Sequence, residues 1–332
     1  MAALLLWLAF RGTDVKQVFG YVKNIQPFYV VLLCLSGILS HLVRAWRWLF
    51  LLKPLKASKI SLWNSFCAVI VGYAVNVVIP RGGEVVRLVT ISRSESLPWS
   101  GVLSTMFIDR LLDIAVLVLL LGFTLVVLPT GMMAGMPWLV PGGVSLLVTT
   151  IIGLIMLPRM ADIINWLMAR SWIRARIPLR HQDAIERLSQ QFHTGTQSLS
   201  EPVTYPAIAL LSLAIWFFYW LNCYLMVCAF GLTNKVSLIQ CFVVFTIGSV
   251  GVLVPTPGNV GSFHFLVSRG LMMVCGLNRE LALAFASVLH LLCFVVITCI
   301  PAALCVSIQS TRKPVDTDKN ENKDTSPTTL MD

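Results

Sequence analysis

The sequence predicts an all-α, polytopic integral membrane protein, and three observations carry that prediction. Hydrophobic residues make up 57% of the 332-residue chain and charged residues only 12%, more apolar surface than a water-soluble core hides. The apolar residues are gathered into runs at 28–42, 114–128, 139–157, 207–230, 236–254 and 281–308, and runs near or above about 18 residues match a helix crossing the ~30 Å hydrocarbon layer. The runs are continuous in Leu, Val and Ile rather than alternating, which excludes barrel strands. In lipid, a helix is then the remaining way to satisfy the backbone. About six to eight membrane helices are expected on these span lengths.

The stretch 2–10 is too short to span at about 1.5 Å per residue and lacks the small-residue cleavage signature of a secretory leader. It reads as an interfacial helix or as the end of a longer span. Arg44, Arg47, Lys53, Lys56 and Lys59 then crowd the end of the first long run and place that end in the cytoplasm. The apolar stretch 60–80 is followed by Arg81, Arg87 and Arg93, a second basic flank. A helix at 109–128 runs into the uncharged linker 129–137, which reads as the outer side. With both flanks of 60–80 cytoplasmic, parity requires that this stretch enter and return without crossing, as a re-entrant segment. The run 139–157 comes back in, and 159–202, with six arginines against four acids, is a cytoplasmic connector holding an amphipathic helix at 183–192.

In the second half, 207–230 crosses outward to a loop with Lys235, and 236–254 enters again from outside. It stops at Pro255-Thr256-Pro257-Gly258-Asn259-Val260-Gly261, which cannot continue a regular helix. The last helix, 281–308, delivers a tail at 309–332 that is rich in Lys, Asp, Asn and Thr and reads as disordered and cytoplasmic. Residues 1–308 thus form one membrane domain, with halves at 27–157 and 203–308 around the linker 158–202. Each half runs spanning helix, apolar segment ending in a Pro/Gly break, mixed stretch, spanning helix. The two broken segments enter from opposite sides, an inverted arrangement, with Pro80, Gly82 and Gly83 as hinges in one and Pro255, Pro257, Gly258 and Gly261 in the other. Paired breaks of this kind point to a site at the bilayer midplane.

The net charge of +10 sits in clusters beside apolar runs, the pattern of cytoplasmic loops rather than of a nucleic-acid surface. Nine cysteines lie mostly in apolar segments, with no CxxC and no His at metal-ligand spacing, so neither metal nor cofactor is expected. Trp46, Trp48, Trp63, Trp99 and Trp138, near run ends, read as interfacial anchors. Chemistry gathers at the first break. Arg81, Glu84 and Arg87 lie three apart and share a face if the stretch after Gly83 is helical. Asp109 and Asp113 project from one side of the next helix, with Arg110 about a quarter turn away. The plain reading is that the acids neutralise the arginines, Asp113 above all. The functional reading keeps an arginine free for an anionic head group, since a planar guanidinium suits phosphate. Asn259, Ser262 and His264 add polar groups at the second break, His264 reading first as a packing residue.

Together, Arg44-Ala45-Trp46-Arg47-Trp48, Asn76 with Pro80-Arg81-Gly82-Gly83-Glu84 and Arg87, Asp109-Arg110 with Asp113, and the Pro255 to Gly261 loop resemble the lysylphosphatidylglycerol synthase transmembrane-region family, also described as flippase-like. The resemblance covers about residues 1–308. It implies a bacterial or archaeal inner-membrane protein that moves lipids or lipid-linked groups between leaflets, here without the soluble aminoacyl-transferase domain of several members. The sequence departs from the pattern at His264, where many relatives carry a glutamate. The expected function is a carrier of an anionic lipid head group, contacted by Arg81 and Arg87 and tuned by Glu84, Asp109 and Asp113, with no catalytic residue. With no nucleotide-binding motif, its driving force would be a gradient, a proton or lipid asymmetry. Two alternatives stand beside it: an integral-membrane transferase using Glu84 or Asp109 as base, and a non-catalytic partner of a lipid-modifying enzyme.

Overall fold

The computed structural model describes residues 6–7, 10–56, 58–127, 204–254 and 256–311, with scattered positions between 140 and 194. Helix α1 (Val15–Lys23) is capped by Asp14, whose side chain accepts from the Lys16 amide. Helix α2 (Pro27–Leu52) starts on Pro27, whose missing N–H has no partner to lose there, and buries a stripe through Leu33, Gly37, Ser40, Arg44, Trp48 and Leu51. Helices α3 (Leu62–Val78) and α4 (Gly82–Glu95) are separated by the Pro80 break, and α5 (Trp99–Val127) follows. The second set comprises α6 (Thr204–Ala229), α7 (Leu238–Gly251) and α8 (Ser262–Cys275), then α9 (Arg279–His290), which passes through a widened π segment (Leu291–Val296) into α10 (Ile297–Thr311). Pro27–Leu55, Trp99–Val127, Pro206–Ala229 and Arg279–Ser310 are long and apolar enough to cross a membrane. The chain is an all-α, multi-pass membrane protein.

Helices α3 and α4 form a hairpin that returns to the end it started from. At its base the Glu95 carboxylate, the last residue of α4, accepts from the Ser61 amide at 3.0 Å and Asn64 Nδ2 at 2.8 Å, both at the start of α3. Higher up the two backbones nearly touch, since a Cβ on Gly83 would lie 1.7 Å from the Gly72 carbonyl oxygen. Near the tip, Asn76 Oδ1 accepts from the Gly83 amide. Helices α7 and α8 repeat the construction. Gln240 Nε2 donates to the Val274 carbonyl at the base, and Gly251 packs on Ser262 near the tip.

The long helices fix the direction of each hairpin. Helix α2 runs antiparallel to α6, with Gln26 joined to Ala229, Arg44 to Tyr219 and Arg47 to Ser212. The base of the first hairpin lies at the end of the bundle where α2 finishes. The base of the second lies at the opposite end, beside Ala229 and the start of α9. The tips therefore point at each other, and they meet where Gly258 rests on the Val77 backbone. Each hairpin also packs on the last long helix of the other set: α3 on α10, and α7 on α5, where Phe123 and Phe242 stack edge to face.

Three expectations change. Arg44 and Arg47 are buried, at 2% and 0% exposure, rather than flanking a membrane surface, so α2 continues to Leu52 instead of ending near 42. Likewise α5 begins at Trp99, ten residues before the expected start at Asp109, because the charges at 109, 110 and 113 find partners within the bundle. Trp48 is fully buried and donates to Thr105 Oγ1, so it is a core residue and not an anchor, whereas Trp46 and Trp99 are exposed. The expected helix at 139–157 is helical at each position described within it, 140–145, 147–149, 152 and 156, and its other positions lie outside the described residues. Trp138, Pro255, nearly all of the linker 158–202 and the tail beyond Thr311 fall outside them as well.

Candidate functional site

The site grows from α2 and α5, which cross with their charged faces together. Spacing of three along α2 puts Arg44 and Arg47 on one face, and spacing of four along α5 does the same for Asp109 and Asp113. Arg47 reaches Asp109 at 2.6 Å and Asp113 at 2.7 Å, while Arg44 reaches Asp113 at 2.7 Å and Asp109 at 3.4 Å. Arg87 of α4 adds a third guanidinium, 3.0 Å from Asp109 and 3.7 Å from the Trp48 ring centroid. Unpaired charges here would cost several kcal/mol each, so the set is held as one network. A separate pair, Arg110 to Glu84 at 2.8 Å, joins α5 to the first hairpin, and both side chains stay more than a third exposed. Arg81, at the N-terminus of α4 with φ +61°, is exposed and has no carboxylate partner among the described residues. Around the break, five arginines thus face three carboxylates.

A cavity of about 700 Å³ lies between the hairpin tips. Pro80, Arg81 and Glu84 line it from the first tip, and Thr256, Gly258 and Asn259 from the second. Arg44, Arg110 and Asp113 face it from the long helices, and an apolar wall runs through Leu117, Phe245 and Phe294. That volume is in the range of small-molecule sites.

The second tip is held by histidines. Gly258 and Asn259 both take left-handed backbone angles, and the Gly258 carbonyl lies 2.7 Å from His290 Nε2. His264 accepts from the Gly261 amide at the start of α8, and its ring centroid lies 4.5 Å from that of His290.

The structure therefore brings Arg81, Glu84, Arg110, Asp113 and Asn259 to one cavity. Arg87 and Asp109 stand outside its lining, bonded to each other, and His264 caps α8 outside it too. Asp109 is fully enclosed by guanidinium groups, while Asp113, paired with Arg44 and Arg47, keeps 13% of its side chain exposed and faces the cavity. Sequence reasoning missed Arg44 and Arg47, whose signal is that the chain stays apolar for several residues after them. It also missed Tyr73, Tyr219, Asn222 and His290, which look like ordinary members of apolar helices.

The lysylphosphatidylglycerol synthase TM region family matches residues 1–300 of the chain. A UPF0104 membrane protein of Methanocaldococcus jannaschii is 31% identical over 139 residues, which are 41% of this chain and 40% of that relative. The match thus spans less than half of the curated relative's length. No solved structure matches the chain.

Proposed function

The chain belongs to the lysylphosphatidylglycerol synthase TM region family, and from that premise we propose that it is a carrier for an anionic lipid, or a lipid-linked anionic group, between the leaflets of the inner membrane. The observation that carries the reading is the cavity between the two hairpin tips, lined by Arg44, Arg81 and Arg110, with Arg81 unpaired among the described residues. A phosphate head group would dock on Arg81 at the N-terminus of α4, where the helix dipole also favours negative charge. Its tails would stay in the bilayer. The exposed Glu84–Arg110 pair is the contact an incoming phosphate can exchange with, because Arg110 keeps its charge whichever acid it faces. Arg44, Arg47, Arg87, Asp109 and Asp113 would set the positive field from behind without leaving their network.

Orientation follows from the lysines. Lys53, Lys56 and Lys59 lie at the base of the first hairpin, so that base, the linker 158–202 and the tail are assigned to the cytoplasmic side. The test is leaflet translocation of fluorescent anionic and zwitterionic lipids in liposomes holding the purified protein. The wild type should move the anionic lipid. Arg81→Ala should slow it by on the order of tenfold, the worth of one charge-assisted hydrogen bond, and Glu84→Ala should change the rate as well. Absence of movement of any lipid by folded protein would sink the carrier reading.

A further inference from the structure

The charged groups on the cavity wall, among the described residues, all come from the first set of helices: Arg44, Arg81, Glu84, Arg110 and Asp113. Behind the facing wall stand two buried histidines that the arginine network does not involve. His264 lies in the first turn of α8, and His290 ends α9 just before the backbone widens into the π segment, a form of turn found mostly at functional sites. Phe263 and Phe294 line the cavity, and their ring centroids lie 5.9 Å and 5.0 Å from that of His290. One aromatic layer thus separates the histidines from the cavity.

The hydrogen bonds fix where the protons sit. A carbonyl only accepts, so His290 Nε2 carries the proton it gives to Gly258 at 2.7 Å, and a neutral His290 has Nδ1 free. His264 Nδ1 accepts from the Gly261 amide, so its proton sits on Nε2. The two rings respond unequally to one proton more. On His264 it would set N–H against N–H at Gly261 and place a cation at the N-terminus of α8, against the helix dipole. On His290 it enters at Nδ1, keeps the Gly258 bond and makes it charge-assisted, roughly twice as strong. With ring centroids 4.5 Å apart, the pair holds one added proton and not two.

No fixed charge competes for that proton nearby. Arg11, Asp14, Lys16 and Lys23, on α1 and the segment before it, are exposed, as is Arg269 of α8. Arg279 and Glu280 lie about 15 Å away along the axis of α9. The packed faces of α3, α6, α7 and the π segment bring only tyrosines and thiols, namely Tyr73, Tyr224, Cys223, Cys241 and Cys293. The titratable group that reaches His264 is His290 itself. On the cavity wall, His41, Glu84 and Asp113 stand among the arginines, in a field already set by fixed charge.

We propose that His290, with His264 neutral beside it, binds a proton together with the anionic cargo, so that the protein is a proton–anion symporter. The inference rests on the carrier reading and adds its driving force. An anion in the cavity and an imidazolium behind Phe263 and Phe294 attract across an apolar layer, and by linkage each makes the other bind more tightly. The charged bond also holds Gly258, so the proton is felt where that tip rests on Val77.

The test is the steady-state leaflet distribution of acyl-labelled phosphatidylglycerol, at trace level, in phosphatidylcholine vesicles holding the purified full chain. It is read with no gradient and with the outside about one pH unit more acid than the inside, a tenfold ratio of proton activity. One proton per lipid anion makes transport electroneutral, so the gradient should raise the inner-to-outer ratio several-fold, up to about tenfold, over protein-free vesicles. His290→Gln keeps a donor for Gly258 and cannot be charged, so it should give the same ratio with and without the gradient. A histidine with only a structural role would change how fast the ratio is reached and not its value. Should that variant not fold, His290→Asn makes the same comparison. A wild-type ratio that the gradient leaves within about twofold overturns this inference and leaves the carrier reading standing, and so does accumulation that persists in the variant. No movement of the lipid in either condition overturns both.

Discussion

Arg47 grips Asp109 through two nitrogens, Nε at 3.2 Å and Nη2 at 2.6 Å from the same carboxylate oxygen, with neither side chain exposed. The same aspartate also serves Arg44 and Arg87. Removing its charge leaves Arg44 and Arg47 on Asp113 and takes from Arg87 the carboxylate it is paired with.

Asp109→Asn should therefore destabilise the protein by about 3–5 kcal/mol, the usual penalty for breaking one side of a buried ion network. The check is the thermal unfolding midpoint in detergent. Replacing both partners, Arg47→Met with Asp109→Leu, should recover part of that loss, because no orphaned charge remains on the pair. A single substitution that leaves the midpoint unchanged would show that Asp109 does not organise the cluster.

The base of the first hairpin should respond to acid. Burial pushes the Glu95 carboxyl up, but the Lys56 ammonium at 2.9 Å, the Ser61 amide and Asn64 outweigh it and hold the group below the ordinary value of 4.5. A carboxyl lowered on folding stabilises the native state above the unfolded pKa, and that stability drains away as pH falls through the folded value. Glu95→Gln should thus cost on the order of 1 kcal/mol at neutral pH and nothing extra in strong acid. Unfolding curves of the two proteins at neutral pH and near pH 3 should converge in the acid; a constant gap would count against the assignment.

Close backbone approach makes a contrast between glycines. A Cβ on Gly83 meets the Gly72 carbonyl at 1.7 Å, whereas one on Gly122 meets nothing within 4 Å. Gly83→Ala should destabilise by about 3 kcal/mol or more, since backbone and not a flexible side chain must move. Gly122→Ala should stay within about 1 kcal/mol of wild type. Midpoints measured side by side decide it.

The tip contact can be separated from backbone strain. Gly258 and Gly231 both take positive φ, at +55° and +65°, but only at Gly258 would a Cβ crowd a neighbour, the Val77 carbonyl oxygen at 3.3 Å. Gly231→Ala reports the left-handed penalty alone, about 1 kcal/mol. Gly258→Ala should lose more stability than that and should also alter the rate of lipid translocation, while Gly231→Ala leaves the rate alone. Equal effects of the two on both readouts would deny the tips a coupled role.

Hydropathy made the long helices legible, and the Pro80 and Pro255 regions announced the two hairpins, because proline and glycine act locally on the backbone. The return arms α4 and α8 were harder, since their mixed composition reflects a face packed on the outgoing arm and another turned elsewhere. Arg44 and Arg47 misled for a definite reason. Positive-inside counting treats arginine as a surface marker, and only a three-dimensional partner such as Asp109 reveals an arginine as core. Trp48 failed alike: its indole N–H found Thr105, and its ring found the Arg87 guanidinium. The histidine beneath the second tip left no trace in sequence, because His290 acts on a carbonyl 32 residues away.

The scaffold pairs two opposed hairpins, but the electric field inside it has no such twofold character. Formal charge sits on one wall of the cavity and dipoles alone on the other. A cargo with an ionised end and a neutral end would keep the same heading while the tips shift around it, so crossing would not require the head group to tumble. Reversing that heading would mean moving the arginines to the opposite helices, a change that the two opposed hairpins accommodate in outline but that the Asp109 network forbids one residue at a time.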